Sequence, residues 1–194
     1  MKNTETATIK SINYPPGGIL IWFLMLLEIF TFLGAIMFFL AYKRELPDEF
    51  LSSKKMLNPL IGTINTIILI TSGYFMAISV DYLRNNNHHK SSKTMLIGTL
   101  LGIVFLMLKG VEFYQKITLG IDFNYNTFYT FYWLMTGFHF VHVLFGVGLL
   151  GYMYFAVKNK QYTATSMFDV ETSATYWHLC DLIWILIFPI IYLL

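Results

Sequence analysis

Charge is what this chain has least of. Lys, Arg, Asp and Glu together make up 12% of its 194 residues, about half the quarter usual in a soluble domain. Too little polar surface is left to cover a water-exposed fold, which excludes an ordinary globular protein. The net charge of +2 is small and the basic residues fall mostly between apolar runs, so no nucleic-acid footprint is present. Cysteine is nearly absent as well. Cys180 stands alone in an apolar run, so it closes no internal disulfide, and one thiol makes a poor metal site. The first stretch, MKNTETATIKSINYPPGG, lacks the apolar segment of a cleavable signal peptide.

Hydrophobic residues fill the space that charge leaves: they make up 56% of the chain, aromatics 18%, and mean hydropathy is +0.59. Five apolar runs approach or exceed the roughly 20 residues that cross a bilayer as helix. They cover residues 19–42, 57–82, 94–114, 128–157 and 174–194. Lipid offers no partner to an unpaired backbone group, so runs of this length predict helices. The expected fold is all-α, an integral membrane bundle of five transmembrane helices forming a single membrane domain over residues 1–194. Polar segments separate the runs: AYKRELPDEFLSSKKMLNP, DYLRNNNHHKSSK, YQKITLGIDFNYN and KNKQYTATSMFDVE. Five spans put the termini on opposite sides. Lys2, Lys10, Arg84, Lys90, Lys93, Lys158 and Lys160 fall on the N-terminal side, against Lys43, Arg44, Lys54, Lys55 and Lys116 on the other. That bias predicts the N-terminus inside and the C-terminus outside.

Ionisable residues within the spans carry the functional signal, because a charge in hydrocarbon is costly and normally faces protein or a wet cavity. Glu28 sits in WFLMLLEIFTFLG, about nine residues into its span and so roughly 14 Å deep. It reads either as a structural hydrogen-bonding acid or as a member of a proton or hydration pathway. No base or nucleophile can be named on its own helix face. Lys109 and Glu112 in LMLKGVEFYQK are three apart and can meet on one helix surface, either as a buried pair that orients helices or at a wet, lipid-headgroup level. In ETSATYWHLCDLIW, Asp181 is placed to orient His178, and Glu171 precedes the span where it can accept hydrogen bonds at the helix start. An antiparallel fourth and fifth span would bring His142 and His178 to similar depth, on one polar seam. His88 and His89 fall in a polar loop and are expected to face solvent. Gly98, Gly102, Gly146, Gly148 and Gly151 offer positions of close helix approach.

His139 and His142, in TGFHFVHVLFG, share a helix face. Histidine ligates haem and metals, yet two residues three apart on one helix do not grip one haem iron from opposite sides. Further ligands would have to come from another helix. Polar packing, water or proton traffic, and direct metal or haem binding all remain open from the residues alone.

Taken together, these segments resemble subunit III of haem-copper terminal oxidases, in the short five-helix form, over nearly the whole chain. The resemblance rests on WFLMLLEIFTFLGAIMFFLAY with Glu28, on LNPLIGTINTIILITSGYFMA with Asn58, Pro59, Asn65 and Thr66, and on LKGVEFYQKI with Lys109, Gly110 and Glu112. TGFHFVHVLFG and ETSATYWHLCDLIWILIFPIIYL, with Tyr176, Trp177 and Trp184, complete it. Leu179 and Cys180 occupy positions where the family often has other residues, and the two N-terminal helices of the long family form are absent.

The resemblance implies a non-catalytic integral subunit packed against subunit I, with subunit II and other respiratory subunits nearby. In the family the complex reduces oxygen to water and translocates protons during aerobic electron transport from cytochrome c. Haem and copper are then expected in partner subunits, with no cofactor or metal bound directly and with structural phospholipid held by the chain. Glu28, Lys109, Glu112, His139, His142, Glu171, His178 and Asp181 become candidates for packing, lipid contact or proton uptake, and none is expected to be catalytic. The expected location is a bacterial cytoplasmic (inner) membrane. Related short proteins leave two alternatives, subunit III of a quinol oxidase and an accessory protein of nitric oxide reductase.

Overall fold

The computed structural model describes residues 17–194. Lys2, Glu5 and Lys10, and the reading of the first stretch as no signal peptide, lie outside the described residues. Helix α1 covers Gly18–Glu45, α2 Pro47–Lys55, α3 Pro59–Arg84 and α4 His88–Thr118. A short α5, Thr127–Tyr132, runs through a π-helical turn, Trp133–Gly137, into α6, Phe138–Lys158. Helix α7, Phe168–Phe188, ends in a second π turn, Pro189–Leu193. Five of the described helical segments are long and apolar enough to cross a membrane, matching the five runs of the sequence.

Local chemistry explains where the helices start. Asn58 accepts hydrogen bonds from the backbone N–H groups of Leu60 (3.0 Å) and Ile61 (3.4 Å), and Pro59 follows at a position whose missing N–H costs nothing. Asn87 and Asn126 cap α4 and α5 in the same way. The Asn87 cap starts α4 at His88, so the polar segment read as loop up to residue 93 is the first turn and a half of a helix. His88 and His89 therefore stand at a helix start instead of in a free loop. Likewise α7 begins at Phe168, six residues before the expected 174.

The first connection, read as a long loop, also contains a helix. Pro47 opens α2 and Phe50, only 3% exposed, anchors it. The Phe50 ring meets Phe39 of α1 at 5.0 Å and Phe128 of α5 at 5.5 Å. The last π turn follows from Pro189, which has no N–H to continue the α-helical ladder; the Leu194 N–H reaches five residues back to the Pro189 carbonyl at 2.9 Å.

Helix α3 packs along α4, α4 along α6, and α7 lies against α1, α3 and α6. Helix α7 is the axis of the bundle: 61% of its most apolar stretch is buried, against 17% for α1. The centre is fixed by Trp177. Its indole lies so close to Gly102 of α4 and Gly146 of α6 that an added Cβ would stand 2.6 and 2.8 Å from ring carbons. Its N–H donates to Ser72 Oγ of α3 at 3.1 Å, and Ser72 donates on to the Gly98 carbonyl at 2.7 Å. One side chain thus joins three neighbouring helices. Gly98, Gly102 and Gly146 serve the close packing expected of them, whereas Gly148 and Gly151 face open space.

Candidate functional site

Three polar assemblies interrupt the apolar bundle, each built around sequence-identified residues, and the first adds two tyrosines that the sequence reading did not name. The first is centred on Lys109 and Glu112, three apart on α4 and both buried. Lys109 Nζ donates to Glu112 Oε2 at 3.0 Å, to the Tyr192 hydroxyl at 2.6 Å and to the Tyr132 hydroxyl at 3.2 Å. An ammonium has three N–H donors, and all three are used. The two phenols in turn donate to Glu112 Oε1 at 2.9 Å (Tyr132) and 2.7 Å (Tyr192). The charges cancel inside a closed network. Its position requires both π turns: Tyr132 immediately precedes the first and Tyr192 lies within the second. Such turns shift the register of side chains and recur at functional positions. The pairing within α4 was legible from its spacing; the tyrosines had no comparable signal.

The second assembly joins α1 to α6. His142 Nε2 lies 3.3 Å from Glu28 Oε1, with both side chains largely shielded. His142 Nδ1 is 2.8 Å from the Phe138 carbonyl. A carbonyl oxygen only accepts, so Nδ1 carries a hydrogen and Nε2 is the nitrogen that faces the acid. The Glu28 carboxyl and the His142 imidazole thus meet directly between α1 and α6. Glu28 Oε2 is buried with no hydrogen-bond partner among the described residues. No base was nameable on the helix of Glu28 because the base comes from another helix.

His139, one turn earlier, points elsewhere despite sharing the expected face. It is fully buried, stacks on Trp184 at 5.2 Å and meets the edge of Phe105 at 6.0 Å. Neither ring nitrogen has a hydrogen-bond partner, and the same holds for the amide of the equally buried Asn65. Trp184, on the other side of that stack, donates to Thr66 of α3 at 2.9 Å. The rings of Phe105 and Trp184 wall the His139 ring.

The third assembly is on α7. His178 Nδ1 lies 3.3 Å from Asp181 Oδ2, as their spacing predicted. The seam expected between His142 and His178 does not form. Tyr176 donates toward α6, to the His142 carbonyl at 3.2 Å, while His178 and Asp181 lie two and five residues on, beside Gly73 of α3. Opposite sides of α7 therefore serve α6 and α3. The Asp181 carboxylate is pressed against Gly73, where any Cβ would collide with it. The His178 side chain is 43% exposed on the outer surface of the bundle, in an open depression shared with Ile70, Tyr74, Leu182 and Ile185.

Glu171 was expected to accept hydrogen bonds at the start of the last span. It lies in the first turn of α7 but pairs instead with Arg84 at the end of α3, at 3.1 Å. Nearby, Tyr162 in the connecting segment donates to Asp169 at 2.9 Å, and burial, followed by that carboxylate, pushes its phenol up to about 12. At the opposite end Lys116 reaches the Met56 carbonyl and ties α4 to the segment before α3. Among the described residues, no group of three or more His, Cys, Asp and Glu side chains is disposed around a common metal position. The geometry can hold helices in register, and at Glu28 and His142 it sets an acid against an imidazole across two helices.

The family model for cytochrome c oxidase subunit III matches residues 12–194. The chain is similar to cytochrome c oxidase subunit 3 of Synechocystis, with 32% identity over 209 aligned residues that cover 100% of this chain and 88% of that protein. It is 37% identical to the Rhipicephalus sanguineus subunit over 135 residues, 68% of this chain and 50% of that protein. With the Thermostichus vulcanus subunit it shares 33% identity over 135 residues, 69% of this chain and 66% of that protein. The aligned part therefore spans about half the length of the animal relative but most of the Synechocystis protein. The chain belongs to the cytochrome c oxidase subunit III family.

Proposed function

We propose that this chain is the non-catalytic subunit III of a proton-pumping haem-copper terminal oxidase that passes electrons from cytochrome c to oxygen. The match of residues 12–194 to the subunit III family carries this reading. The names of the relatives favour a cytochrome c oxidase over a quinol oxidase or a nitric oxide reductase. Residues 1–194 form one subunit III-like membrane domain, with the N-terminus inside and the C-terminus outside a bacterial cytoplasmic membrane. The haem- and copper-bearing subunit I is its principal neighbour, subunit II a further one, and structural phospholipid fills the remaining contacts. Haem and copper reside in the partner subunits.

The polar assemblies divide the work. Lys109, Glu112, Tyr132 and Tyr192 lock α4, α5 and the end of α7 into one register. Glu28 and His142 supply a shielded proton-exchanging pair on the sparsely covered α1 side, suited to sustaining hydration or proton uptake by the complex. His139 supports Trp184 as a flat packing ring. His178 and Asp181 lie near mid-span, yet the imidazole is on the outer surface; an ionisable group at that depth normally faces protein, so this α3–α7 face suits a neighbouring subunit.

Replacing Glu28 by Leu in the assembled oxidase tests the functional part. Sustained turnover and proton pumping are expected to fall while the haem content of the complex stays normal. Normal assembly, turnover and coupling in that variant would remove Glu28 from any functional role. A tag on this chain should co-purify haem-bearing subunits, and the isolated chain should show no stoichiometric haem absorption. Haem on the isolated chain would overturn the non-redox assignment.

A further inference from the structure

Helix α2 is nine residues long and is not one of the five spans, yet its polar side chains grip the ends of two other helices. Glu49 Oε1 accepts from the Phe128 backbone N–H at 3.2 Å, one of the donors that the start of a helix leaves unpaired. Ser53, only 2% exposed, accepts at Oγ from the Asn126 side-chain amide at 2.7 Å, and its carbonyl accepts from the Tyr129 hydroxyl at 3.4 Å. These contacts hold α5. Lys54 Nζ donates to the Leu193 carbonyl at 2.6 Å, and Lys43 Nζ, in the last turn of α1, donates to the Leu194 carbonyl at 2.7 Å. Carbonyls of a last helical turn lack partners within the helix and carry the negative end of its dipole, so two ammonium groups suit them. Just past α2, the Met56 carbonyl accepts from Lys116 of α4.

Each attachment falls on an element that carries a member of the buried Lys109–Glu112 network. Tyr132 ends the α5 that Glu49 and Ser53 hold. Tyr192 lies within the π turn whose last carbonyls Lys54 and Lys43 hold. Lys109 and Glu112 share α4 with Lys116. The two phenols thus come from separate helices, and both must reach the same oxygen, Glu112 Oε1, at 2.9 and 2.7 Å. Glu49 and Lys54 stand on one short helix, about 8 Å apart along its axis, so a single rigid piece spaces the two ends that deliver the phenols. We infer that α2 is a clamp, fastened at Glu49, Ser53 and Lys54, that positions Tyr132 and Tyr192 on Glu112, and that its release from α5 and α7 opens the buried network. This role rests on the network being closed, and the two ideas fail separately.

The test uses the full-length chain in mild detergent, with 3-fluorotyrosine at position 132 or 192, one at a time, read by fluorine NMR. Lys109→Met combined with Glu112→Leu removes both charges at once, leaves no unpaired ion, and marks where each label resonates without the network. Glu49→Ala should displace the label at 132 more than the label at 192, and Lys54→Ala should do the reverse. Each should raise the displaced fraction about fivefold, the factor that one hydrogen bond is worth. Lys43→Ala, a second variant at the same turn of α7, should act as Lys54→Ala does, and Lys54→Arg should restore the wild-type line. Lys158→Ala, at the other end of the bundle, should move neither label. Labels that stay at their wild-type positions in helical Glu49→Ala, Lys54→Ala and Lys43→Ala chains, while the charge-free variant displaces them, would overturn the clamp and leave the network standing. Labels that the charge-free variant does not displace would remove the closed network and the clamp with it. Equal displacement by Lys158→Ala would show general loosening and would also overturn the clamp.

Discussion

The Lys109–Glu112 network makes a prediction in which single and double substitutions differ in size and in logic. Lys109→Met removes the ammonium and leaves the Glu112 carboxylate among apolar and phenolic groups. Glu112→Gln leaves the ammonium with no counter-charge. Breaking one side of a buried ion pair costs about 3–5 kcal/mol, because the surviving charge stays desolvated. The double variant removes both charges. It also keeps most of the network, since both phenols donate to Glu112 Oε1 and a glutamine carbonyl can accept in the same place. Neutral interhelical hydrogen bonds in membranes average only about 0.6 kcal/mol, so the double variant should lie within about 1–2 kcal/mol of wild type. The coupling between the two positions is then at least about 4 kcal/mol, well above the roughly 0.5 kcal/mol scatter of independent sites. Equilibrium unfolding in mixed micelles, followed by tryptophan fluorescence, measures all four corners of the cycle. Small single effects with a double effect equal to their sum would refute the closed-network account.

Three further outcomes follow from the geometry. Gly102→Ala and Gly146→Ala each place a methyl under 3 Å from the Trp177 ring, so each should destabilise by about 1–3 kcal/mol through overpacking and lower the thermal midpoint, while Gly148→Ala, in open space, should not. His139→Phe keeps a flat ring against Trp184 and Phe105 and removes two nitrogens that have no hydrogen-bond partner among the described residues; stability should stay within about 1 kcal/mol and subunit association should persist, whereas a loss of partner haem in the purified complex would contradict the packing role. The Tyr162 phenol, pushed up to about 12 by burial and Asp169, gains its proton-linked stabilisation in the neutral form. The contribution is complete below pH about 10 and disappears as pH rises through about 12, so the difference in phenolate absorbance between wild type and Tyr162→Phe should show a one-tyrosine transition in that window.

How much of this was readable in advance depended on the distance a signal had to travel along the chain. The spans were legible because hydrophobic length is a local property, and Lys109–Glu112 and His178–Asp181 because a spacing of three on a helix fixes proximity. Helix α2 was not, since its one buried apolar residue is Phe50, whose packing is completed by Phe39 and Phe128 from other helices. The early start of α4 was masked by polar residues, although Asn87 was an available cap signal. The partners of Glu28 and of the lysine–glutamate pair come from helices far along the chain, and two of those partners depend on π turns. A π turn inserts a residue into the helical period and so moves every later side chain off the face that counting assigns to it.

His139 and His142 show the consequence most plainly. Counting by three put them on one face and invited a shared ligand. In the bundle, one ring stacks on Trp184 and stands edge-on to Phe105, and the other meets a carboxyl on α1. Two histidines on one helix acquire different chemistry because different helices stand against each. The aromatic walls around His139 hold a ring that packs. The carbonyl behind His142 fixes its tautomer and turns the other ring nitrogen toward the acid on α1. Spacing along a membrane helix therefore identifies which residues are candidates, while the identity of the facing helix decides whether a candidate packs, pairs or exchanges a proton.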